Sequence, residues 1–307
     1  MDLEPGRPPA EPSEGLVGDA WRDHRRHLVD VAYRLLGSVT EAEDIVQEAF
    51  ARLVRADQQS IDDVRGWLVV VVTRLCLDLL RSARVRRETY VGPWFPEPVA
   101  HAASAAPDPA DIVTLDESVR MALLIVLERL SPAERVVFVL HDVFEYTFEE
   151  IAPMVDRTPA ACRQLASRAR RRIGAEEEKV PTPVEPEEMR RVAESFIAAV
   201  ENGELQALLA VLDPQVVGWA DLGGGPFPVP QPSSGREQVA QRVMALFGRP
   251  SGAHLLLAEV NGEPGIIASF KDKPVAVMVL TARDQRITSI YAIGAQAKLG
   301  HVRLSQD

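Results

Sequence analysis

Residues 147–173 read TFEEIAPMVDRTPAACRQLASRARRRI. Thr147 followed by Glu150 is a capping-box start: a hydroxyl to accept the helix's own amide, a carboxylate to reach back. A short helix follows with Ile151 and Met154 facing inward, and Val155-Asp156-Arg157 makes a turn. Thr158 and Pro159 then open a second helix, Thr as N-cap and Pro in the first helical position. Wound at about 100° per residue, that helix gathers Cys162, Leu165, Ala166, Ala169 and Ile173 on one arc. Arg163, Gln164, Ser167, Arg168, Arg171 and Arg172 fill the other. A dry arc packs on a core. A face of guanidinium forks and amides suits a DNA major groove, where arginine reads guanine edges and glutamine reads adenine. An ordinary basic surface helix shows the same stripe; the turn and the preceding helix favour DNA.

The wider composition is that of a soluble globular chain: 307 residues, 46% hydrophobic, 26% charged. That length suits two or three domains. Neither a signal-like N-terminus nor a bilayer-length apolar run is visible, so a cytoplasmic protein without a membrane segment is expected. The two cysteines, Cys76 and Cys162, sit in separate helical patterns and read as buried thiols of a reducing compartment. No Cys or His spacing suggests a metal site, and no cofactor is expected. The net charge of −11 argues against nucleic acid when taken as a sum. Its distribution argues otherwise. Arg81, Arg84, Arg86 and Arg87 form one basic knot and the arginines of 163–172 another, while acids collect at the N-terminus, over 41–48 and over 176–188.

Outward from the opening stretch, six parts are expected. Residues 1–17, rich in Pro, Gly and Glu, read as disordered. A helical domain spans 18–89. Its first helix carries Leu28, Val31, Ala32, Leu35 and Leu36 and stops at Gly37. The second is capped by Thr40 with Glu43; it buries Ile45, Val46, Ala49, Phe50 and Leu53 and shows Glu41, Asp44, Gln47, Glu48 and Arg52. That acidic stripe is either a solvated face or a dock for a basic partner. The third, over 64–82, packs Trp67, Leu68, Val71, Leu75, Leu79 and Leu80 and ends in the Arg81 knot. Trp67, Arg74 and the knot suit melted nucleic acid, with bases on rings and arginines along phosphates, although a Trp there also fits a core. A linker covers 90–115. Its segment YVGPWFPEP is barred from helix by three prolines yet too aromatic for a free tether, so it should lie extended on another surface. Residues 100–109 read as a looser Ala/Pro tether. A second helical domain, 116–175, has a helix over 111–130, the capping box Ser131–Glu134 and the helix-turn-helix. Acids and prolines over 176–187 mark another boundary. The last part, 188–307, opens with helices over 189–201 and 205–212. Strand-like runs follow at 216–219, 253–260, 266–270, 275–281 and 287–293. Asn261-Gly262 is a hairpin signal, and Lys273-Pro274 and Arg283-Asp284 mark later reversals. Helices followed by a strand meander predict an α+β domain.

These motifs resemble a family. LLG at 35–37 with EAEDIVQE at 41–48 looks like the second region of bacterial sigma factors, and LSPAER at 130–135 with the helix-turn-helix looks like their fourth region. The compact layout resembles the extracytoplasmic-function group. The linker and the DLGGG run at 221–225 resemble its subgroup with a C-terminal SnoaL-like extension. The resemblance implies a multidomain chain: two all-α sigma domains, then a cone-shaped α+β domain like nuclear transport factor 2. It implies that Asp44, Gln47 and Glu48 dock on the clamp helices of RNA polymerase β′, with core polymerase (β′ and β) and promoter DNA as partners. Trp67, Arg74, Arg81, Arg84 and Arg87 are then expected at the −10 element, and Thr158, Arg163, Gln164, Ser167, Arg168 and Arg171 at the −35 element. Tyr90, Trp94 and Pro96 of the linker are expected to meet Asp221, Gly223, Gly224 and Lys298 of the tail, which modulates the sigma part in cis. Leu222 interrupts the subgroup's Asp-Gly-Gly-Gly pattern, and only Lys298-Leu299 remains of its Asn-Pro-Asp-Lys-Leu motif. A free monomer is implied, with room for an unidentified small molecule in the tail.

Two other classes stay open at this point. SnoaL-like domains include small-molecule enzymes, for which Asp221, His254 and Tyr291 are the candidates for acid–base work. No paired carboxylate or nucleophile–base spacing accompanies them, so an enzyme is not expected. A ligand-responsive DNA-binding regulator using the tail pocket would need a dimer and leaves the acidic helix without a role.

Overall fold

A computed structural model describes residues 14–87, 93–102, 120–177, 184–223 and 231–304; at 14, 83–87 and 175–177 it describes the backbone alone. Helix α1, Glu14–Leu36, ends where Gly37 turns left-handed at φ 69°. It starts inside the stretch read as disordered; residues 1–13 of that stretch lie outside the described residues. Helix α2, Val39–Arg55, begins one residue before Thr40. Its N-cap is Ser38, whose hydroxyl accepts from the Glu41 amide, so the Thr40–Glu43 box read from the sequence is displaced. Helix α3, Val64–Arg87, buries Leu68, Val69, Val72, Cys76, Leu77 and Leu80. That face is rotated from the one read in the sequence: Trp67, Val71, Leu75 and Leu79 are only partly buried, because α3 is clasped between α1 and α2 on one side and the second helical domain on another.

In the second domain, α4 (Met121–Leu127) is the described part of the helix expected over 111–130; residues 111–119 lie outside the described residues, and 128–130 form a turn. Helix α5 (Pro132–Phe138) carries the Ser131–Glu134 capping box and runs on as a π-helical turn, Val139–Val143. Helices α6 (Phe148–Val155) and α7 (Pro159–Glu177) form the helix-turn-helix, with Asp156 left-handed at φ 56°. The two helical domains touch: α3 packs against α5 and α6, and α1 against the π-helical turn.

The third part has helices α8 (Pro186–Asn202), α9 (Leu205–Val211) and α10 (Arg236–Phe247), the last unread in the sequence. Its sheet comprises β2 (Leu212–Asp221), β3 (Ser233–Ser234), β4 (His254–Val260), β5 (Glu263–Phe270), β6 (Lys273–Arg283), β7 (Arg286–Ile293) and β8 (Val302–Arg303). One further strand comes from the linker: β1, Ala100–Ala102, pairs antiparallel with β4 and parallel with β8, giving the order β3-β2-β7-β6-β5-β4-β1-β8. The loose tether expected from residue 100 is therefore corrected. The free edge of β4 offers unpaired N–H and C=O groups, and an Ala-rich segment without bulk slides in to satisfy them. The later reversals also shift by residues: the left-handed pairs are Lys271-Asp272 and Asp284-Gln285, while Lys273-Pro274 and Arg283 already lie in or at the end of strand.

Alternation along the strands gives the sheet two apolar faces. Ile266, Ala268, Ala276, Met278, Leu280, Ile287 and Ile290 join Phe196, Val200 and Leu208 of the helices. Ile267, Val277, Val279, Ile293, Ala258 and Val260 point the other way, into one continuous core with Phe95, Ala100 and both helical domains. This is the expected plan of two helical domains and an α+β extension. The second face could not remain in water at about 25 cal/mol per Å² of apolar surface; it joins the core that the linker and both helical domains share.

Candidate nucleic-acid interface

Helix α7 sorts its side chains as its sequence predicts. Cys162, Ala166, Ala169 and Ile173 are buried, Leu165 is half-buried, and Arg163, Gln164, Ser167, Arg168, Arg171 and Arg172 are exposed. Thr158 caps the helix by accepting the Ala161 amide at 3.2 Å. The capping box of α6 is formed in full: the Thr147 hydroxyl donates to Glu150 at 2.7 Å and accepts its amide, and these hydrogen bonds hold the Glu150 carboxyl below its usual range. The exposed arginines are not equivalent. Arg163 pairs with Glu149 at 2.8 Å and lies over the Phe148 ring; Arg170 pairs with Asp142 at 2.6 Å, and Arg172 with Glu134 at 2.7 Å. Burial raises the Glu134 carboxyl, but the Ser131 hydrogen bonds and Arg172 outweigh it and the net shift is downward. Arg157, passed over as a turn residue, is exposed beside the start of α7, with its guanidinium on the Asp156 carbonyl.

On the first domain, Asp44 and Gln47 are exposed on α2. Glu48 beside them accepts from Arg52 at 2.8 Å, which lowers its carboxyl. Trp67 is half-buried against the core rather than open beside α3. Arg81 pairs with Asp78 at 3.4 Å. Arg84 and Arg87 belong to α3, but their side chains lie outside the described residues. Arg74 is exposed and donates to the Pro153 carbonyl of α6 at 2.9 Å, so it bridges the two helical domains.

The linker and the tail meet in a buried knot. Lys298 Nζ donates to Asp221 Oδ2 at 2.6 Å and to the Phe95 carbonyl at 2.5 Å, and lies 4.1 Å from the Trp94 ring centroid. Asp221 also accepts from the Phe95 amide at 2.9 Å and, through Oδ1, from Gly223. Phe95 meets Tyr291 edge to face. Pro96 and Trp94 crowd Gly37, where a Cβ would stand 3.2 Å from each and from Glu128 of the second domain. Trp94, Pro96, Asp221, Gly223 and Lys298 are thus brought together; Tyr90 and Gly224 lie outside the described residues. The candidate acid–base set is not assembled. Asp221 is taken up by Lys298 and the linker, and His254 is exposed at the start of β4, four strands away from β2.

Sequence reasoning missed two anchors. Glu97 accepts from the Ser38 hydroxyl at 2.8 Å and from the Val39 and Thr40 amides at 2.8 and 3.3 Å, so the linker caps α2. Asn261, read only as a turn residue, donates to Tyr33 of α1 at 2.8 Å and accepts from the Val99 amide at 3.1 Å. Neither had a local signal beyond a polar residue set between turn formers.

Comparison with known proteins fits this layout. Residues 20–86 match the Sigma-70 region 2 model and residues 120–173 the Sigma-70, region 4 model. The chain is 43% identical over 293 residues to the probable ECF RNA polymerase sigma factor SigI of Mycobacterium tuberculosis, covering 94% of this chain and 96% of that one. The chain belongs to the ECF RNA polymerase sigma factors. It is also 39% identical over 280 residues to the M. tuberculosis ECF RNA polymerase sigma factor SigJ, covering 88% of each. The crystal structure of M. tuberculosis SigJ aligns with a TM-score of 0.73 at 35% identity, over 93% of this chain and 99% of that one. The α2 face and the end of α3 therefore belong to sigma region 2, and α7 to region 4. RNA polymerase core and promoter DNA are the partners that go with this family. Among the described residues no helix is long and apolar enough to cross a membrane.

Proposed function

We propose that this sigma factor docks on the β′ clamp helices of core polymerase through Asp44, Gln47 and Glu48, and reads two promoter elements with its two helical regions. Region 4 takes the −35 element in the major groove with Thr158, Arg163, Gln164, Ser167, Arg168 and Arg171. Region 2 opens and reads the −10 element with Trp67, Arg74, Arg81, Arg84 and Arg87. The observation that carries this is α7: among its described residues the polar side chains are all exposed while Cys162, Ala166, Ala169 and Ile173 are buried, the division a groove-reading helix requires. The half-buried Trp67 and the tie of Arg74 to Pro153 belong to the free chain; both are to be released before the −10 element is engaged.

The tail modulates the sigma part within the same chain. Support comes from the Asp221–Lys298–Phe95 knot, which holds the linker between the two regions against the tail's sheet. The free chain is a monomer, consistent with the coverage of both faces of that sheet from within one chain. A small molecule acting through the tail would have to displace Phe196, Leu208 or Met278, all fully buried between sheet and helices, or enter under the linker. The test is transcription by purified chain with core polymerase from a cognate promoter. Arg168→Ala is expected to weaken −35 recognition and Asp44→Ala to weaken core binding. Undiminished transcription by both variants overturns the assignment of these faces.

A further inference from the structure

Arg163 of α7 is held by the helix that precedes it. Its Nη2 donates to Glu149 Oε1 at 2.8 Å, and its guanidinium lies 5.6 Å from the centre of the Phe148 ring. Phe148 and Glu149 are the first two residues of α6. Phe148 is fixed in turn: its ring centre lies 3.9 Å from that of His141, tilted by 33°, and His141 Nδ1 donates to the Tyr146 carbonyl at 2.8 Å. The capping box of α6 uses Glu150, so the Glu149 carboxylate is not needed to start the helix. Among the described residues, Arg163 is the one of Arg163, Arg168 and Arg171 whose guanidinium a carboxylate holds; Arg171 donates to the Ser167 carbonyl of its own helix at 3.4 Å.

The pair is too exposed to serve the fold. Side-chain exposures of 56% for Arg163 and 64% for Glu149 leave it in water, where such pairs add little to stability. Nor does it help a general attraction to DNA, since it sets a carboxylate beside the groove-reading helix, where phosphates repel it. Its effect on Arg163 is geometric. A long side chain loses rotamer freedom when it meets a base, and one already anchored loses less. One Nη2 proton goes to Glu149. The other, with the adjacent Nη1 protons, leaves a two-donor edge that fits O6 and N7 of guanine. A backbone phosphate drawn to the same guanidinium meets the Glu149 charge as well, so the anchored fork is set against phosphate and towards a base edge.

We propose that Glu149 is a positioning residue which, with Phe148, fixes Arg163 as a fork for one guanine of the −35 element. Glu149 thereby raises discrimination at that base pair and lowers affinity for the backbone. The inference rests on the reading of Arg163 at the −35 element, and adds what decides its choice of base.

The test is selection of promoter duplexes, randomised over the −35 element, by holoenzyme assembled from the full-length chain and core polymerase. Wild type should favour guanine at one position, and Arg163→Ala should erase that preference, worth roughly 5–150-fold for a bidentate contact. Glu149→Gln should cut the same preference by about 2–12-fold, the cost of immobilising one long side chain, and leave the other positions as they were. It should also bind duplexes lacking that guanine more tightly, because a charge repelling phosphate is gone. In the Arg163→Ala background, Glu149→Gln should no longer move the preference, which a general disturbance of α6 would still do. Replacing the favoured guanine by 7-deazaguanine, which lacks the N7 acceptor, should weaken wild type and spare Arg163→Ala. A preference unchanged by Glu149→Gln overturns the positioning role and leaves the reading of Arg163 standing. A loss spread evenly over all −35 positions overturns it too, as does a Glu149→Gln effect that persists without Arg163. If Arg163→Ala alters no position, the reading of Arg163 falls first and the proposal falls with it.

Discussion

Lys298 and Asp221, 77 residues apart in sequence, form an ion pair of 2.6 Å with side-chain exposures of 10% and 0%, closed over by the linker's Phe95. A charge pair this dry is costly to assemble and more costly to break, because removing one partner leaves the other desolvated. Lys298→Met should destabilise the full chain by about 3–5 kcal/mol in urea unfolding. Adding Asp221→Asn should recover part of that loss, since the two sites are coupled. Strict additivity of the two single losses would show that the pair does not act as a unit.

Glu97 supplies from the linker what α2 lacks locally. Its carboxylate accepts two of the helix's first amides, and the Ser38 hydroxyl as well. Glu97→Ala should cost about 1–2 kcal/mol, the range of a lost helix cap. Hydrogen exchange at the Val39 and Thr40 amides should quicken well beyond that at Leu53 in the same helix. Equal protection before and after the change would mean that the cap carries no weight.

Glu263 gives the tail a pH dependence of definite sign. Burial raises its carboxyl, and the nearby Arg120 offsets this only in part. A carboxyl with a folded pKa above its unfolded one binds protons more tightly in the native state. Ionisation therefore carries its full cost above the folded value, and that cost disappears as pH falls to the unfolded value of about 4.3. Wild type should gain stability relative to Glu263→Gln as the solution is acidified, measured as the difference between their denaturant midpoints. A difference that moves the opposite way contradicts the burial argument.

The arginines of α7 should separate into two classes. Arg170 and Arg172 are held by Asp142 and Glu134 within region 4, so replacing them should disturb that region's stability. Arg168→Ala should instead cost about 1–3 kcal/mol in −35 binding if it reads a base. If it meets a phosphate, the salt slope of binding should fall by about 1. Duplex titrations at several salt concentrations, beside thermal unfolding of the same variants, check both. Arg168→Ala altering stability but neither affinity nor slope would remove it from the interface.

Much of this was legible in the chain itself. The capping boxes at Ser131 and Thr147, the stop at Gly37 and the 3.6-residue spacing of Cys162, Ala166, Ala169 and Ile173 are local signals, and local hydrogen bonding and side-chain sterics realise them. The α+β tail was legible for a similar reason, since strand alternation and an Asn-Gly turn act over a few residues. α10 was missed because its helical pattern is short and follows a Pro-rich stretch of sequence.

What only the tertiary structure decided is where the linker goes. Ala100–Ala102 has no strand signal of its own; it is a strand because β4 and β8 present unpaired backbone groups on either side of it. Asn261 reads as a turn in any sequence, and Glu97 as a charge between prolines. Their partners, Tyr33 and the α2 amides, lie 228 and 58 residues away, brought within 3 Å by the packing of the tail's second apolar face onto region 2. Sequence pattern specifies which faces are dry; which dry face covers which is decided only when the whole chain removes them from water together.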